Sequence, residues 1–453
     1  MAELLYRSTN WQSPKVTFRE ALARGLAPDR GLYVPEFYPE LDRDIIESMR
    51  DMPYPEIAVR VMKPLVGDSF TTEELTLMSE DAYRFPVPLE PVEGLDGRYI
   101  LRLDRGPTAS FKDYAAQMMA RKLGRYLEQE GLELVILNAT SGDTYAAVAN
   151  AFHGVRRVKT IGIFPLHEVP PMQRKFMTTL GGNSTAIGVD ANFDCCLGMV
   201  TAAFVDKDLA HIPLSSANSI NVGRLVPQTV YYFHAYSKCK LMGHDGVIFS
   251  VPSGNFGDVT AGLIAHRMGL PAEFFIAAVN ENDEFPRFLD TGIYEKVDPS
   301  RNCISNAMNV GNPKNLVRIV DMHGGQMDHT GKLVKSPEMG RIRQIMKSES
   351  IGDERTRKTM REAWAEHGLL LEPHGAVAWA ALNDFCPEGY SNGAALVSLE
   401  TAHPAKFPET VLEELGFEPD LPASMIGLGD KPETYDTIPG EYGALKELLK
   451  QRF

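Results

Sequence analysis

Two turns and one lysine carry the residue types needed for covalent chemistry on a small anionic molecule. In "GPTASFKDYAAQMMARKLG", Lys112 stands between Phe111 and Asp113, where a loop gives way to an apolar helix. Burial beside an aromatic ring lowers an amine's pKa and favours the neutral nucleophile that a Schiff base requires. The competing reading is a solvated lysine in a first helical turn. In "VPSGNFGDV", Gly254 and Gly257 let the backbone bend toward a ligand just before a helix starts, and the free N–H groups of that start suit a phosphate. The plainer reading is a tight strand-to-helix turn with Asp258 as cap. "TSGDT" is a second turn into a helix, where Ser141, Asp143 and Thr144 offer hydroxyls and a carboxylate either to an anionic substrate or to an ordinary N-cap. A phosphate cradle, a carboxylate-binding turn and a nucleophilic lysine are together what a pyridoxal 5′-phosphate site requires.

Other chemistries lack their motifs. There is no H-E-x-x-H metal pattern, no G-x-S-x-G elbow, and neither dinucleotide nor nucleoside-triphosphate glycine spacing. No metal is expected, and His374 and His403 read as structural. The five cysteines include no C-x-x-C pair. With a net charge of −14 and no basic run, nucleic acid is not an expected partner. No apolar run reaches the ~18 residues that cross a bilayer, and no leader pattern opens the chain, so a cytoplasmic protein is expected.

These loops need a scaffold. At 453 residues the chain is long for one core. Residues 1–95 read as a leading unit of helices and proline-rich connections, ending in "RFPVPLEPVEGLDG". Strand-like runs such as "LELVILN", "VKTIGIFP", "GVIFSVP" and "AALVSLET" then alternate with helical stretches. That alternation predicts an α/β fold with parallel sheets covered on both faces. Three of the strands end in "NATSGDT", "VPSGNFGD" and "LETAHPAKF", and ligands collect beyond the carboxyl ends of such strands.

The segments "GPTASFKDYAAQMMA", "NATSGDT", "NSINVGRLVPQTVYYF", "VPSGNFGDVTAG", "SNAMNVGNPKN", "EPHGAVAW" and "TAHPAKFPE" occur in this order. Together they resemble the threonine synthase family of the longer bacterial and fungal type, which are fold-type II pyridoxal phosphate enzymes. The opening "KVTFREALARGLAPDRGLYVPE" resembles that family's leading domain. The resemblance implies a tryptophan synthase β-like α/β fold. It divides the chain into an N-terminal domain (1–95), a large cofactor-binding domain (96–134 and 222–453) and a smaller mobile domain (135–221).

It also implies roles. Lys112, beside Phe111, matches the cofactor-linking and proton-shuttling lysine. Ser253, Gly254, Asn255, Phe256 and Gly257 match the cofactor phosphate loop, and Thr401 the hydroxyl facing the pyridine nitrogen. Ser141, Asp143 and Thr144 match the turn beneath the substrate carboxylate and phosphate, while Asn218, Ser219 and Arg224 match positions that receive the substrate phosphate. The implied reaction is that of a carbon–oxygen lyase, converting O-phosphohomoserine and water into threonine and phosphate by loss of phosphate at Cγ and addition of water at Cβ. Its partner is a small phosphorylated amino acid, and the chain is expected to be a monomer or homodimer.

Four features depart from the pattern: Tyr145 where glycine is usual, Asn309 where aspartate is usual, "STNW" for "STRG", and Glu400 at a position commonly small. They keep a rival reading open, in which phosphate is eliminated from a related phosphorylated amino acid to give another product. A third reading, a non-catalytic sensor of such a molecule, has no need of Lys112.

Overall fold

The computed structural model describes residues 4–390 and 392–453. Two parallel sheets carry the site. The larger runs in the order Met346–Ser350, Ala272–Val279, Gly246–Pro252, Ala394–Glu400, Arg98–Arg102, Leu89–Pro91, parallel throughout except for the last strand. That antiparallel edge comes from the proline-rich stretch, and Pro91 is tolerated there because an edge strand has a side without a ladder partner. The smaller sheet is wholly parallel, in the order Asp436–Pro439, Ser184–Asp190, Val158–Pro165, Leu134–Ala139, Leu214–Ser215. Central strands such as "LVILNA" and "GVIFSVP" are continuous apolar runs because helices cover both faces.

One boundary differs from expectation. The resemblance places residues 222–453 in the large domain, but the chain's end returns to the small sheet. Asp436–Pro439 pairs with Ser184–Asp190, and the helix Tyr442–Arg452 buries Leu445 and Leu449 against Met199 and Val200. Without that strand, Ser184–Asp190 would present an unpaired edge. Arg174 secures the returning segment through two bonds to the Glu433 carboxylate, both 2.9 Å.

The leading residues form a helical layer with a short antiparallel ribbon, Tyr6–Ser8 against Tyr33–Pro35. Capping boxes fix the starts of two of its helices, Thr17 with Glu20 and Thr71 with Glu74. Its helix Tyr54–Val66 packs on the buried helix Val222–Leu241. Arg7 bonds both oxygens of Asp321 at 2.8 and 2.9 Å, joining the ribbon to the larger unit.

Candidate active site

Lys112 opens the helix Lys112–Glu130, and its loop is held from both sides. The Phe111 N–H donates to the Thr401 carbonyl (2.9 Å), and the His403 N–H donates to the Ala109 carbonyl (3.0 Å). The turn leaving strand Ala394–Glu400 therefore grips the lysine loop. Its far side is fixed by Asp113, whose carboxylate accepts from the Thr108 N–H (2.8 Å) and hydroxyl (2.7 Å). The Lys112 amine lies 4.6 Å from the centre of the Phe111 ring and 4.0 Å from Asp143 Oδ2. Burial lowers its pKa; Asp143 opposes that shift, while Lys406 and Arg224 reinforce it. This is the setting of a nucleophilic amine rather than of a solvated surface charge.

The turn after strand Gly246–Pro252 has the form of an anion cradle. Phe256 adopts φ 60°, and the helix Gly257–Arg267 begins without a side-chain cap. Its free N–H groups are open to an anion. A Cβ on Gly254 would lie 2.7 Å from the Ala307 carbonyl oxygen and from Met308 Cα, so only glycine permits this approach. Asn255 is immobilised: its Oδ1 accepts from the Lys314 N–H (2.7 Å) and its carbonyl from Asn315 Nδ2 (3.0 Å). Asp258 does not cap the helix. Both Tyr231 (2.5 Å) and Tyr232 (2.6 Å) donate to its Oδ1, and burial raises its pKa to about 6.

Both turns and the lysine open into one cavity of about 620 Å³ between the carboxyl ends of the two sheets. It is lined by Phe111, Lys112, Ser141, Asp143, Thr144, Asn218, Ser219, Arg224, the turn from Gly254 to Gly257, and Thr401. Ser253 is different. Its N–H donates to Ala278 and its hydroxyl points back to the Val251 carbonyl (2.9 Å), so the backbone of the loop faces the cavity and this side chain does not.

Arg224 is buried, and no carboxylate among the described residues contacts it. It donates to the Ala217 carbonyl (2.7 Å) and leaves Nε without a partner. Burial lowers its pKa to about 10, so it is still a cation at neutral pH. Nearby, Asn218 Oδ1 is also unpartnered, and Ser219 Oγ accepts from Asn315 Nδ2 (3.1 Å). A buried unmatched guanidinium is costly unless an anion completes it. The residues thus fit two anionic groups, one at the glycine turn and one at Arg224.

The departures resolve into packing. Tyr145 is fully buried and turns away from the cavity, its hydroxyl donating to the Thr185 carbonyl (2.8 Å) with the Thr160 carbonyl also within 3.0 Å. Asn309 does line the cavity, but its amide braces a loop: Oδ1 accepts from Asn280 Nδ2 (2.8 Å) and the Cys303 N–H (3.1 Å), and Nδ2 donates to the Cys303 carbonyl (3.2 Å). Glu400, the buried last residue of the strand Ala394–Glu400, accepts from the Glu372 N–H at 3.0 Å; burial and the Glu372 charge raise its pKa well above its ordinary value. In "STNW", Asn10 donates to the Asp29 carbonyl (2.9 Å), within the leading layer.

Two residues stand outside the sequence-based site: Lys406, which no motif singles out, and His374, which the sequence presents as structural but which faces the cavity. Lys406, within the quoted "TAHPAKF", has a fully buried side chain with its amine 2.5 Å from Asp143 Oδ1. His374 lines the cavity; Nδ1 faces Glu372 Oε2 at 2.5 Å, while Nε2 accepts from the Ala307 N–H at 3.1 Å. A lysine just beyond an apolar strand was the available signal for the first. The second had none beyond its place in "EPHGAVAW".

Two open α/β sheets with a lysine at one helix start, a glycine turn at another and a shared cavity define a pyridoxal phosphate-dependent enzyme of the tryptophan synthase β-like fold. Residues 82–401 match the family model "Pyridoxal-phosphate dependent enzyme", residues 5–83 "Threonine synthase N terminus", and residues 375–449 "Threonine synthase, C-terminal". The threonine synthase of Serratia marcescens is 37% identical over 436 residues, 96% of each chain. The crystal structure of pyridoxal phosphate-bound threonine synthase from Brucella melitensis superposes with a TM-score of 0.90 at 34% identity over 99% of each chain. The yeast threonine synthase structure gives 0.90 at 27% identity, covering 100% of this chain and 99% of that one. The chain belongs to the threonine synthase family, and its cofactor is pyridoxal phosphate.

Proposed function

We propose that this cavity converts O-phosphohomoserine and water into threonine and phosphate, with Lys112 as the catalytic amine. The turn from Gly254 to Gly257 would hold the cofactor phosphate, with Phe111 and Thr401 flanking the ring. Bound there, pyridoxal phosphate supplies an electrophilic carbon for amines and a ring that takes up the electron pair left at Cα. The desolvated Lys112 amine would take the Cα and then the Cβ proton as phosphate leaves, deliver a proton to Cγ, and return one to Cα once water has added at Cβ. Thr401, which lines the cavity, would offer the cofactor's ring nitrogen a neutral hydroxyl rather than a carboxylate. Arg224, Asn218 and Ser219 receive the substrate phosphate, the guanidinium supplying the missing countercharge. Ser141, Thr144 and the start of the helix Asp143–Phe152 take the carboxylate.

The cavity lies between the two units, and polar contacts cross its rim. Ser300 donates to Asp194 Oδ2 (3.2 Å), and Asn306 Nδ2 donates to Gln173 Oε1 (3.4 Å). Movement of the smaller unit against these contacts would admit substrate and then exclude water. The observation that carries the reading is Arg224, a buried cation without a carboxylate partner among the described residues, in the same cavity as a desolvated lysine and an uncapped glycine turn. Supplying purified protein with pyridoxal phosphate and O-phosphohomoserine tests it: equal amounts of threonine and phosphate are expected. Phosphate accompanied by 2-oxobutyrate would favour a different product, and no phosphate release would overturn the proposal.

A further inference from the structure

Asp143 stands between two lysines and treats them unequally. Its Oδ1 lies 2.5 Å from the Lys406 amine, whereas its Oδ2 lies 4.0 Å from the Lys112 amine. Lys406 is completely buried and belongs to the turn Pro404–Lys406 that follows the large sheet's strand Ala394–Glu400. Asp143 opens a helix of the smaller unit. The Lys406 amine also donates to the Thr108 carbonyl (2.9 Å) and sits 5.1 Å from the centre of the Phe176 ring, again in the smaller unit. Thr108 in turn holds Asp113, the neighbour of Lys112. One buried ammonium therefore touches the lysine loop, the substrate turn and both units.

A carboxylate within reach of Lys112 is a hazard for its chemistry. An opposite charge nearby favours the ammonium, which is not nucleophilic. We infer that Lys406 is a positioning residue: it takes Asp143 as its own ion-pair partner and so keeps Lys112 neutral and free to bond carbon. Burial would push the Asp143 carboxyl up, but Lys406 and Lys112 outweigh it and hold the group below its ordinary value. Asp143 is thus an anion, and its charge is taken up first by Lys406. Other charged groups also face Lys112. Arg224 opposes its protonation, while Glu372 and the raised carboxyl of Asp258 favour it; Asp113 adjoins it and His374 shares the cavity. Among the described residues only Asp143 comes within ion-pair distance of the Lys112 amine, so its allegiance decides the balance.

This inference deepens the proposed function and can fail separately from it. In the full-length protein freed of cofactor, competitive acylation followed by peptide mass spectrometry reads the titration of the Lys112 amine. Lys406→Met should move its midpoint upward by at least one pH unit, because Asp143 then turns to Lys112. Asp143→Asn/Lys406→Met should return the midpoint to within about half a unit of the Asp143→Asn value. Lys406→Arg, which keeps the cation, should leave it close to wild type and provides a folded comparison if Lys406→Met does not fold. In the holoenzyme, the pH midpoint of the visible cofactor band should shift in the same order. A midpoint unmoved in Lys406→Met, or moved equally when Asp143 is already Asn, would overturn the inference. If Lys406→Met does not fold, Lys406→Arg and Asp143→Asn decide it: equal midpoints for wild type and Asp143→Asn would overturn it. Absence of a cofactor band or of threonine formation would count against the proposed function, with the acylation result still readable.

Discussion

Tyr145 and Gly162 share one space. A Cβ built on Gly162 would lie 2.1 Å from Tyr145 Cδ1, so the bare backbone of the central strand Val158–Pro165 forms the floor on which the phenol rests. The ring is accommodated by a glycine in the adjacent strand and stays out of the cavity. Gly162→Ala should overpack this site and lower stability by about 1–3 kcal/mol, read as a drop in Tm. Tyr145→Phe should cost about 1–2 kcal/mol through its buried carbonyl partners and leave the KM for O-phosphohomoserine within twofold. A large KM change in Tyr145→Phe would return the residue to the pocket.

Lys122 is a buried lysine with no carboxylate beside it among the described residues. Its amine is fully buried, 3.9 Å from Met62 Sδ and 5.0 Å from the centre of the Phe18 ring, and burial lowers its pKa from 10.5 to about 7. Between pH 7 and 10.5 the unfolded chain binds this proton and the folded chain does not, so the contribution to stability rises with pH across that window. Below about pH 7 both states are protonated and the folded form bears the full penalty. Lys122→Met should therefore be more stable than wild type near neutrality, by at most ~5 kcal/mol at about 1.4 kcal/mol per pK unit. The advantage should shrink as pH rises to 10, as denaturant titrations at several pH values would show.

Asp258 gives the opposite slope. Its pKa is raised to about 6 from 3.8, chiefly by burial, while Tyr231 and Tyr232 pull it down. The folded state then holds a proton between pH 3.8 and 6 that the unfolded state has lost, and stability falls as pH rises through that window. Asn at this position keeps an oxygen for both phenols and carries no charge. Asp258→Asn should match wild type near pH 4 and exceed it above pH 6, by up to ~3 kcal/mol. A difference independent of pH would show that shape, not ionisation, sets the cost.

The parts of the site legible in the sequence were those contiguous along it. Leu134–Ala139 and Gly246–Pro252 declare themselves as unbroken apolar runs, and each hands its end to a turn whose small residues advertise a ligand. What escaped depended on segments distant in the chain. Lys406 meets Asp143 only because two sheets face each other, and nothing local to either residue encodes the pair. Asp436–Pro439 is a largely exposed edge strand without apolar alternation, so its return to the small sheet left no periodic trace. Ser253 shows the converse: motif membership located the loop but could not say which atoms face inward.

Arg318 joins the leading layer to both candidate anion sites, and through carbonyls rather than carboxylates among the described residues. Fully buried, it donates to the Tyr33 carbonyl from Nε (3.1 Å) and Nη2 (3.0 Å), to the Ser219 carbonyl (3.1 Å), to Ile220 (2.6 Å) and to Asn315 Oδ1 (2.5 Å). Asn315 is the residue that holds both the Asn255 carbonyl and Ser219 Oγ. The planar fork reaches all four partners at once, which a lysine ammonium cannot do. Arg318→Lys should leave carbonyls unsatisfied and cost about 2–4 kcal/mol. It should also loosen the glycine turn and the Ser219 segment together. Equilibrium binding to the cofactor-free protein should show pyridoxal phosphate affinity reduced about tenfold, with the KM for O-phosphohomoserine raised in the same variant. Loss of stability with both affinities intact would confine Arg318 to packing; parallel loss of both would make the leading layer's ribbon, through the Tyr33 carbonyl, part of what sets the distance between the two phosphates.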